Sequence, residues 1–226
     1  MKACPAIIAA LPREVSALVK GWECRRLPGK IVVYSNGHAV FACAGMGAPR
    51  AALAVEAAMA AMPVTALLSV GLAGACDPAL RVGDIVRAGI VIDAKTGEQF
   101  TGPLFKQVLL TTPAIASVQE KRRLYASYAA SAVDMEAATV ARLARAHGLD
   151  FQAIKAISDE AGFEVEDLAR FGTADGQFRE AAFALHTALR PQLWSKAMAL
   201  ARNSGRALDA LSSAINAELD WYRDRG

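Results

Sequence analysis

An α/β fold with a mostly parallel central sheet and a helical C-terminal region is predicted by three features of the sequence. Ala6–Leu11, Thr65–Val70 and Phe151–Ile157 are apolar runs with no polar alternation, which suits strands covered on both faces. Helix-forming stretches stand between such runs, as parallel crossovers require, and strands dominate early while helices dominate late. The chain has 226 residues, 54% of them hydrophobic, enough to bury a sizeable core, so residues 1–226 are expected to form one domain.

After the first strand, Pro12 opens a helix over Arg13–Lys20. Ile31–Ser35 and His38–Ala44 flank Asn36-Gly37, a dipeptide that tolerates the positive φ angles of a tight hairpin turn. Gly45-Met46-Gly47 ends the second hairpin strand and leads into a helix over Ala51–Met62, where a glycine pair lets backbone N–H groups approach a ligand. The same spacing serves an ordinary strand-to-helix turn, and the full dinucleotide fingerprint is absent because Arg50 stands at its third glycine.

Thr65–Val70 ends in Gly71-Leu72-Ala73-Gly74, small residues that keep open the carboxyl end of the strand, where ligands collect in open α/β sheets. Arg81–Val86 turns into a strand running through Ile92, Asp93–Gly102 is a polar loop, Phe105–Leu110 a strand and Ala114–Tyr125 a helix. A short strand, Ala132–Met135, leads into the helix Glu136–Ala146, which Gly148 terminates. Gly162–Gly176 is charged and irregular. Gln177–Leu189 and Leu193–Glu218 then read as helices, with Pro191 breaking the pattern between them.

The formal net charge of +3 is scattered, without a basic block, so neither a nucleic-acid groove nor a polybasic membrane anchor is indicated and a small-molecule substrate is the default partner. Cys4, Cys24, Cys43 and Cys76 form no C-x-x-C pair and have apolar neighbours, as expected of reduced thiols packed in a core. No apolar run reaches the roughly 20 residues that span a bilayer. The run Ala3–Leu11 reads as a buried strand rather than a signal peptide, because Pro12-Arg13-Glu14 starts a helix-like segment. A cytoplasmic location is the resulting expectation.

Three carboxylates stand at the edges of predicted elements: Glu14 after the first strand, Glu136 in Asp134-Met135-Glu136, and Asp159 in Ile157-Ser158-Asp159. In N-glycosidic cleavage the sugar develops oxocarbenium character, so a nearby anion stabilises it while an acid neutralises the leaving group. A buried carboxyl suits the acid role and a more solvated one accepts hydrogen bonds. Asp159, closing an apolar strand, has the environment of the acid, and Glu136 could accept two sugar hydroxyls. Each also has a structural explanation, since an acid at a helix start is favoured by the helix dipole by about 0.3–1 kcal/mol.

The segments Val133-Asp134-Met135-Glu136-Ala137-Ala138 and Ala156-Ile157-Ser158-Asp159, with Gly71-Leu72-Ala73-Gly74 and Val82-Gly83-Asp84-Ile85-Val86, resemble the purine nucleoside phosphorylase/nucleosidase superfamily. Within it the chain is most similar to the methylthioadenosine/S-adenosylhomocysteine nucleosidases and the hopanoid-associated nucleoside phosphorylases, over about Ala6 to Gly162. The resemblance implies a central mixed twisted sheet closed into a distorted barrel and flanked by helices, assembly as a homodimer or higher oligomer, and no metal or organic cofactor. It implies that Met135 packs against the ribose and that Glu136 binds the 2′- and 3′-hydroxyls. Asp159, aided by Ser158, would protonate purine N7. Glu14 aligns with the acid that activates the attacking water, Gly47 lies in the loop near the nucleophile, and Gly71 joins the substrate-binding set.

The chain departs from the family's pattern where the nucleophile sits. Ser69 and Leu72 occupy positions where phosphorylases carry arginines and a Ser/Thr, which favours water over phosphate, yet nucleosidases also carry a hydroxyl at the place of Leu72. Ile92–Phe100 reads more like the hopanoid-associated phosphorylases, and Arg50 could then supply charge. Phe105 and Tyr125 are the candidates for stacking on the purine. The expected enzyme, a purine nucleosidase or nucleoside phosphorylase, therefore cleaves a 5′-substituted adenosine with water, releasing adenine. The alternatives are phosphorolysis of a purine nucleoside, a hopanoid-linked adenosine included, to a sugar 1-phosphate, and a non-catalytic nucleoside-binding module.

Overall fold

The computed structural model describes residues 4–102, 105–164 and 194–224. Ten strands form one mixed sheet: β1 (Pro5–Ala9), β2 (Glu23–Leu27), β3 (Ile31–Ser35), β4 (Val40–Cys43), β5 (Ala66–Ala75), β6 (Ile85–Asp93), β7 (Gln99–Thr101), β8 (Gln107–Thr111), β9 (Ala132–Asp134) and β10 (Asp150–Asp159). Helices α1 (Ala48–Ala61), α2 (Val118–Tyr128), α3 (Ala137–His147) and α4 (Trp194–Asp224) accompany it. Five strands close a ring. β5 pairs with β10 in parallel, β10 with β6 antiparallel, β6 with β8 and β8 with β9 in parallel, and β9 returns to β5 antiparallel. This ring is the distorted barrel that the resemblance implies.

β5 is the strand on which the site depends. Along one edge it pairs with β10 over nearly its whole length, but the other edge is divided. Ala66–Ser69 pair with β1, whereas Gly74 and Ala75 pair with β9 running the opposite way. Between these two partners the sheet forks, and the stretch from Val70 to Ala73 faces the opening.

Both faces of the parallel core are covered, as the absence of polar alternation predicts. Ile7 and Ala9 of β1 pack with Leu68, Ile154 and the α4 residues Ala207, Leu211 and Ile215. Ala6 and Ile8 point the other way, against Ala51, Ala54, Val55 and Ala58 of α1 and Val140 and Ala144 of α3. Each such buried Ile or Leu contributes about 1.5–3 kcal/mol relative to exposure.

Several sequence expectations change in detail. The helix expected over Arg13–Lys20 is only a single 3-10 turn, Pro12–Glu14, followed by irregular turns, because the Glu14 side chain folds back to accept the Leu11 N–H at 2.9 Å. The hairpin around Asn36-Gly37 forms, with Gly37 at φ +82°, but Ser35 pairs with Val40, so the loop has four residues rather than two. There Asn36 Oδ1 accepts the N–H groups of His38 and Ala39. Edge strand β2 lies in a segment whose charges hid it, and there Cys24 is exposed, against the expectation that all four thiols are core.

Gly71-Leu72-Ala73-Gly74 does not end its strand but continues it, since β10 pairs alongside up to Gly74. The expected polar loop Asp93–Gly102 contains β7. α2 starts at Val118 rather than Ala114 because the Ser117 side chain caps it, accepting the Glu120 N–H at 3.2 Å. Most of the expected irregular segment after Gly162, the helix Gln177–Leu189 and the break at Pro191 lie outside the described residues. Among the described residues, no helix is long and apolar enough to cross a membrane.

Candidate active site

A cavity of about 570 Å³ opens at the fork in the sheet. Its wall draws on the segment after β1 (Leu11, Glu14), on β5 (Leu72, Gly74), on the end of β9 and the turn beyond it (Asp134, Met135, Glu136), and on the end of β10 (Ser158, Asp159). Helix α4 supplies the opposite side through Leu200, Ser204 and Leu208, a stripe at helical spacing of four. The three acids named from the sequence thus share one chamber, and Met135 and Ser158 line it with them.

Glu14 is buried, with one oxygen on the Leu11 N–H and the other 3.5 Å from the Leu72 N–H, a backbone group in the fork. Burial raises its pKa, against the backbone N–H of Leu11 and the nearby Lys155 charge. Gly71 makes this approach possible. Its φ is +139°, and a Cβ there would lie 3.2 Å from Glu14 Oε1. Gly71→Ala is therefore expected to cost about 1–3 kcal/mol in backbone strain and to displace the Glu14 carboxylate. A lowered melting temperature together with lost turnover is the expected result, and a melting shift alone would show that Gly71 does not serve Glu14.

Glu136 stands at the start of α3, but the capping is done by its neighbours. Asp134 Oδ2 accepts the Ala137 N–H at 2.9 Å and Thr111 Oγ1 accepts the Ala138 N–H at 3.0 Å. The Glu136 carboxylate is left to face the cavity, held by the Gly47 N–H at 2.7 Å and the Met135 N–H at 3.3 Å. Gly47, at φ +87°, thus orients Glu136 from the start of α1. Burial, reinforced by the charge of Asp134, pushes the Glu136 pKa up to about 7.

Beneath Glu136 lies a group that sequence reasoning missed. Lys155 Nζ is buried 2.9 Å from Asp134 Oδ2 and donates to Ser69 Oγ at 3.1 Å. Thr111 donates to the other oxygen of Asp134 at 2.7 Å. Burial works against the Lys155 ammonium, but Asp134, Glu136 and Glu14 outweigh it and raise its pKa. A lysine inside Ala153-Ile154-Lys155-Ala156-Ile157 was the available signal, because a charge in a doubly covered strand demands a buried partner. Ser69 is thereby committed to Lys155 and does not line the cavity.

Asp159 Oδ1 accepts the Ser158 hydroxyl at 2.7 Å and its Oδ2 is ion-paired with Lys121 of α2, whose side chain is fully buried. Lys121 also donates to the carbonyls of Glu160 and Phe163, at 3.2 and 3.4 Å. Nothing in the run Lys121-Arg122-Arg123 marks its first member as buried, so this residue was invisible in the sequence.

Other candidates fall away. Phe105 and Tyr125 are exposed and neither lines the cavity, so the purine-stacking role expected of one of them is not supported. Phe105 instead sits 6.0 Å from the Arg87 guanidinium. Arg50 donates to the Gly29 carbonyl at 2.8 Å and is not part of the cavity wall, so the charge expected from it is directed elsewhere.

A family model described as the phosphorylase superfamily matches residues 6–117 and 102–190. The chain belongs to the phosphorylase superfamily. The enzyme class expected from the sequence, purine nucleosidase or nucleoside phosphorylase, agrees with that membership. Solved structures of the same fold include a mutant of Helicobacter pylori MTAN with 5′-methylthioadenosine in its active site, 16% identical, with a TM-score of 0.72 over 97% of this chain and 99% of that one. The 5′-methylthioadenosine/S-adenosylhomocysteine nucleosidase of Neisseria meningitidis, in complex with methylthio-immucillin-A, is likewise 16% identical, with a TM-score of 0.73 over 97% and 98%. Futalosine hydrolase of Helicobacter pylori gives 16% and 0.71, also over 97% and 98%. No protein of curated function matches the chain.

Proposed function

We propose that this member of the phosphorylase superfamily cleaves the N-glycosidic bond of a 5′-substituted adenosine with water as the nucleophile, releasing adenine. The observation that carries the reading is the convergence of Glu14, Glu136 and Asp159 on one cavity at the fork of the sheet. Glu136 accepts the ribose hydroxyls and Met135 packs on the sugar. Glu14 takes a proton from water as its oxygen bonds to C1′. The electron pair of the C1′–N9 bond passes into the purine, whose N7 receives a proton by way of Asp159. The solved relatives carrying 5′-methylthioadenosine and methylthio-immucillin-A support a nucleoside of this kind. Water is favoured over phosphate because a buried carboxylate at the nucleophile's position opposes an anion.

The test is adenine release from methylthioadenosine and S-adenosylhomocysteine, with and without phosphate, with the sugar product identified. Free sugar formed without phosphate supports the reading. A strict phosphate requirement replaces it with phosphorolysis, and saturable binding without base release replaces it with a binding module.

A pH dependence follows from Glu136. Ribose hydroxyls donate to its ionised form, so substrate binding competes with a proton on a carboxyl whose pKa is raised to about 7. KM is expected to be flat above that value and to rise as pH falls below it, approaching roughly tenfold per pH unit. Initial rates at varied substrate concentration between pH 5 and 8.5 check this, and a KM independent of pH would remove Glu136 from hydroxyl binding.

A further inference from the structure

Asp159 lines the reaction chamber, yet the nearest positive charge it meets is a lysine from a different part of the fold. Lys121 lies on α2, which follows β8, whereas Asp159 closes β10. The Lys121 side chain is buried, and among the described residues its ammonium donates to Asp159 Oδ2 and to the carbonyls of Glu160 and Phe163. Gly74 is shaped for this pair: a Cβ there would lie 2.9 Å from Asp159 Oδ2 and 3.0 Å from Lys121 Cε. A buried ion pair is weak evidence for stability, since apolar residues of similar volume serve as well or better. A pair that also lines a reaction cavity has another use.

We propose that Lys121 supplies the proton that Asp159 delivers to the leaving purine. This inference rests on the functional reading above. The Lys121 ammonium donates to Asp159 Oδ2, so the carboxylate stands between the lysine proton and the cavity. As the C1′–N9 bond breaks, its electron pair moves onto the purine and the proton passes from the pair through the Asp159 carboxyl to N7. Lys121 is left as the neutral amine and Asp159 as the carboxylate, while Glu14 holds the proton taken from the attacking water. Transfer of a proton from Glu14 to solvent and from solvent to Lys121 restores the starting state, so the net reaction is nucleoside plus water giving free sugar and neutral base. Ser158 holds Oδ1 and thereby fixes the carboxyl plane.

The pair of substrates that tests this is a purine nucleoside and its N7-methylated counterpart, whose base departs without needing a proton. Lys121→Met is expected to lower kcat on the unmethylated nucleoside by roughly 100-fold or more, with KM little changed, and to leave the N7-methylated nucleoside within a few fold of the unmodified protein. Asp159→Asn is the reference for a lost proton donor and should show the same selectivity. Should Lys121→Met not fold, Gly74→Ala, which crowds the pair from the other side, is expected to show the same selective loss. Equal losses on both nucleosides, or no loss on either, would overturn the proposal and leave Lys121 as an anchor for the Glu160–Phe163 turn. Absence of base release from either nucleoside by the unmodified protein would instead overturn the functional reading.

Discussion

Asp159→Asn is expected to slow turnover of a purine nucleoside by roughly 10²–10⁴-fold, the range associated with general acid catalysis. The amide keeps the shape of the side chain and can still meet the Ser158 hydroxyl, but it holds no proton that the purine could take. The substitution also leaves the Lys121 ammonium buried without its anion. Breaking one side of a buried pair costs about 3–5 kcal/mol, so the melting temperature should fall as well. The two effects are separable. Adding Lys121→Met removes the stranded charge, so the double variant should regain most of the lost stability and none of the activity. Single-turnover rates measured well below the lower melting temperature make the comparison, and near-wild-type turnover in Asp159→Asn would take this residue out of the mechanism.

How much of the site could be read from the sequence divides along a physical line. Glu14, Glu136 and Asp159 were legible because each follows an apolar strand, and a strand end in an α/β sheet is where ligands gather. Met135 and Ser158 came with their neighbours. What the sequence did not show is what lies across the sheet from each acid. Lys155 was readable in principle as a charge inside an apolar strand, but its partner Asp134 comes from another strand, and no local pattern joins them. Lys121 sits in a basic run on a helix with two exposed arginines beside it, so its burial depends on how α2 docks.

The fold shows the same division. Strands covered on both faces announced themselves, whereas edge strand β2 and short β7 are held by pairing partners rather than by apolar content. The segment Gly71–Gly74 looked like a strand end because small residues interrupt the apolar run. Those glycines are there for contact reasons instead: Gly71 admits the Glu14 carboxylate and Gly74 admits the Lys121–Asp159 pair. Pairing with β10 then carries the strand through them. Gly47, expected near the nucleophile, donates its N–H to Glu136 in the described structure, a contact that no local sequence pattern announces.

Glu14→Gln is expected to abolish hydrolysis, a loss again of roughly 10²–10⁴-fold, because the amide cannot accept the proton of the attacking water. Any phosphate-dependent cleavage should survive in part, since phosphate brings an oxygen that is already anionic. Adenine release with and without phosphate separates the two, and equal loss of both activities would give Glu14 another role. Stability supplies an independent check. Burial raises the Glu14 pKa above its value in the unfolded chain, so the folded state binds more protons than the unfolded state between those two values, and stability falls as pH rises through them. The glutamine can still accept the Leu11 N–H and carries no charge to desolvate, while Lys155 keeps its contact with Asp134. Glu14→Gln should therefore melt above the wild-type protein at pH 8, with the difference shrinking as acidification protonates the wild-type carboxyl. An inactive variant that is more stable at alkaline pH is the signature of a carboxylate held in an unfavourable place for the sake of the reaction. A variant that melts lower at every pH would mean that the charge of Glu14 serves the fold instead.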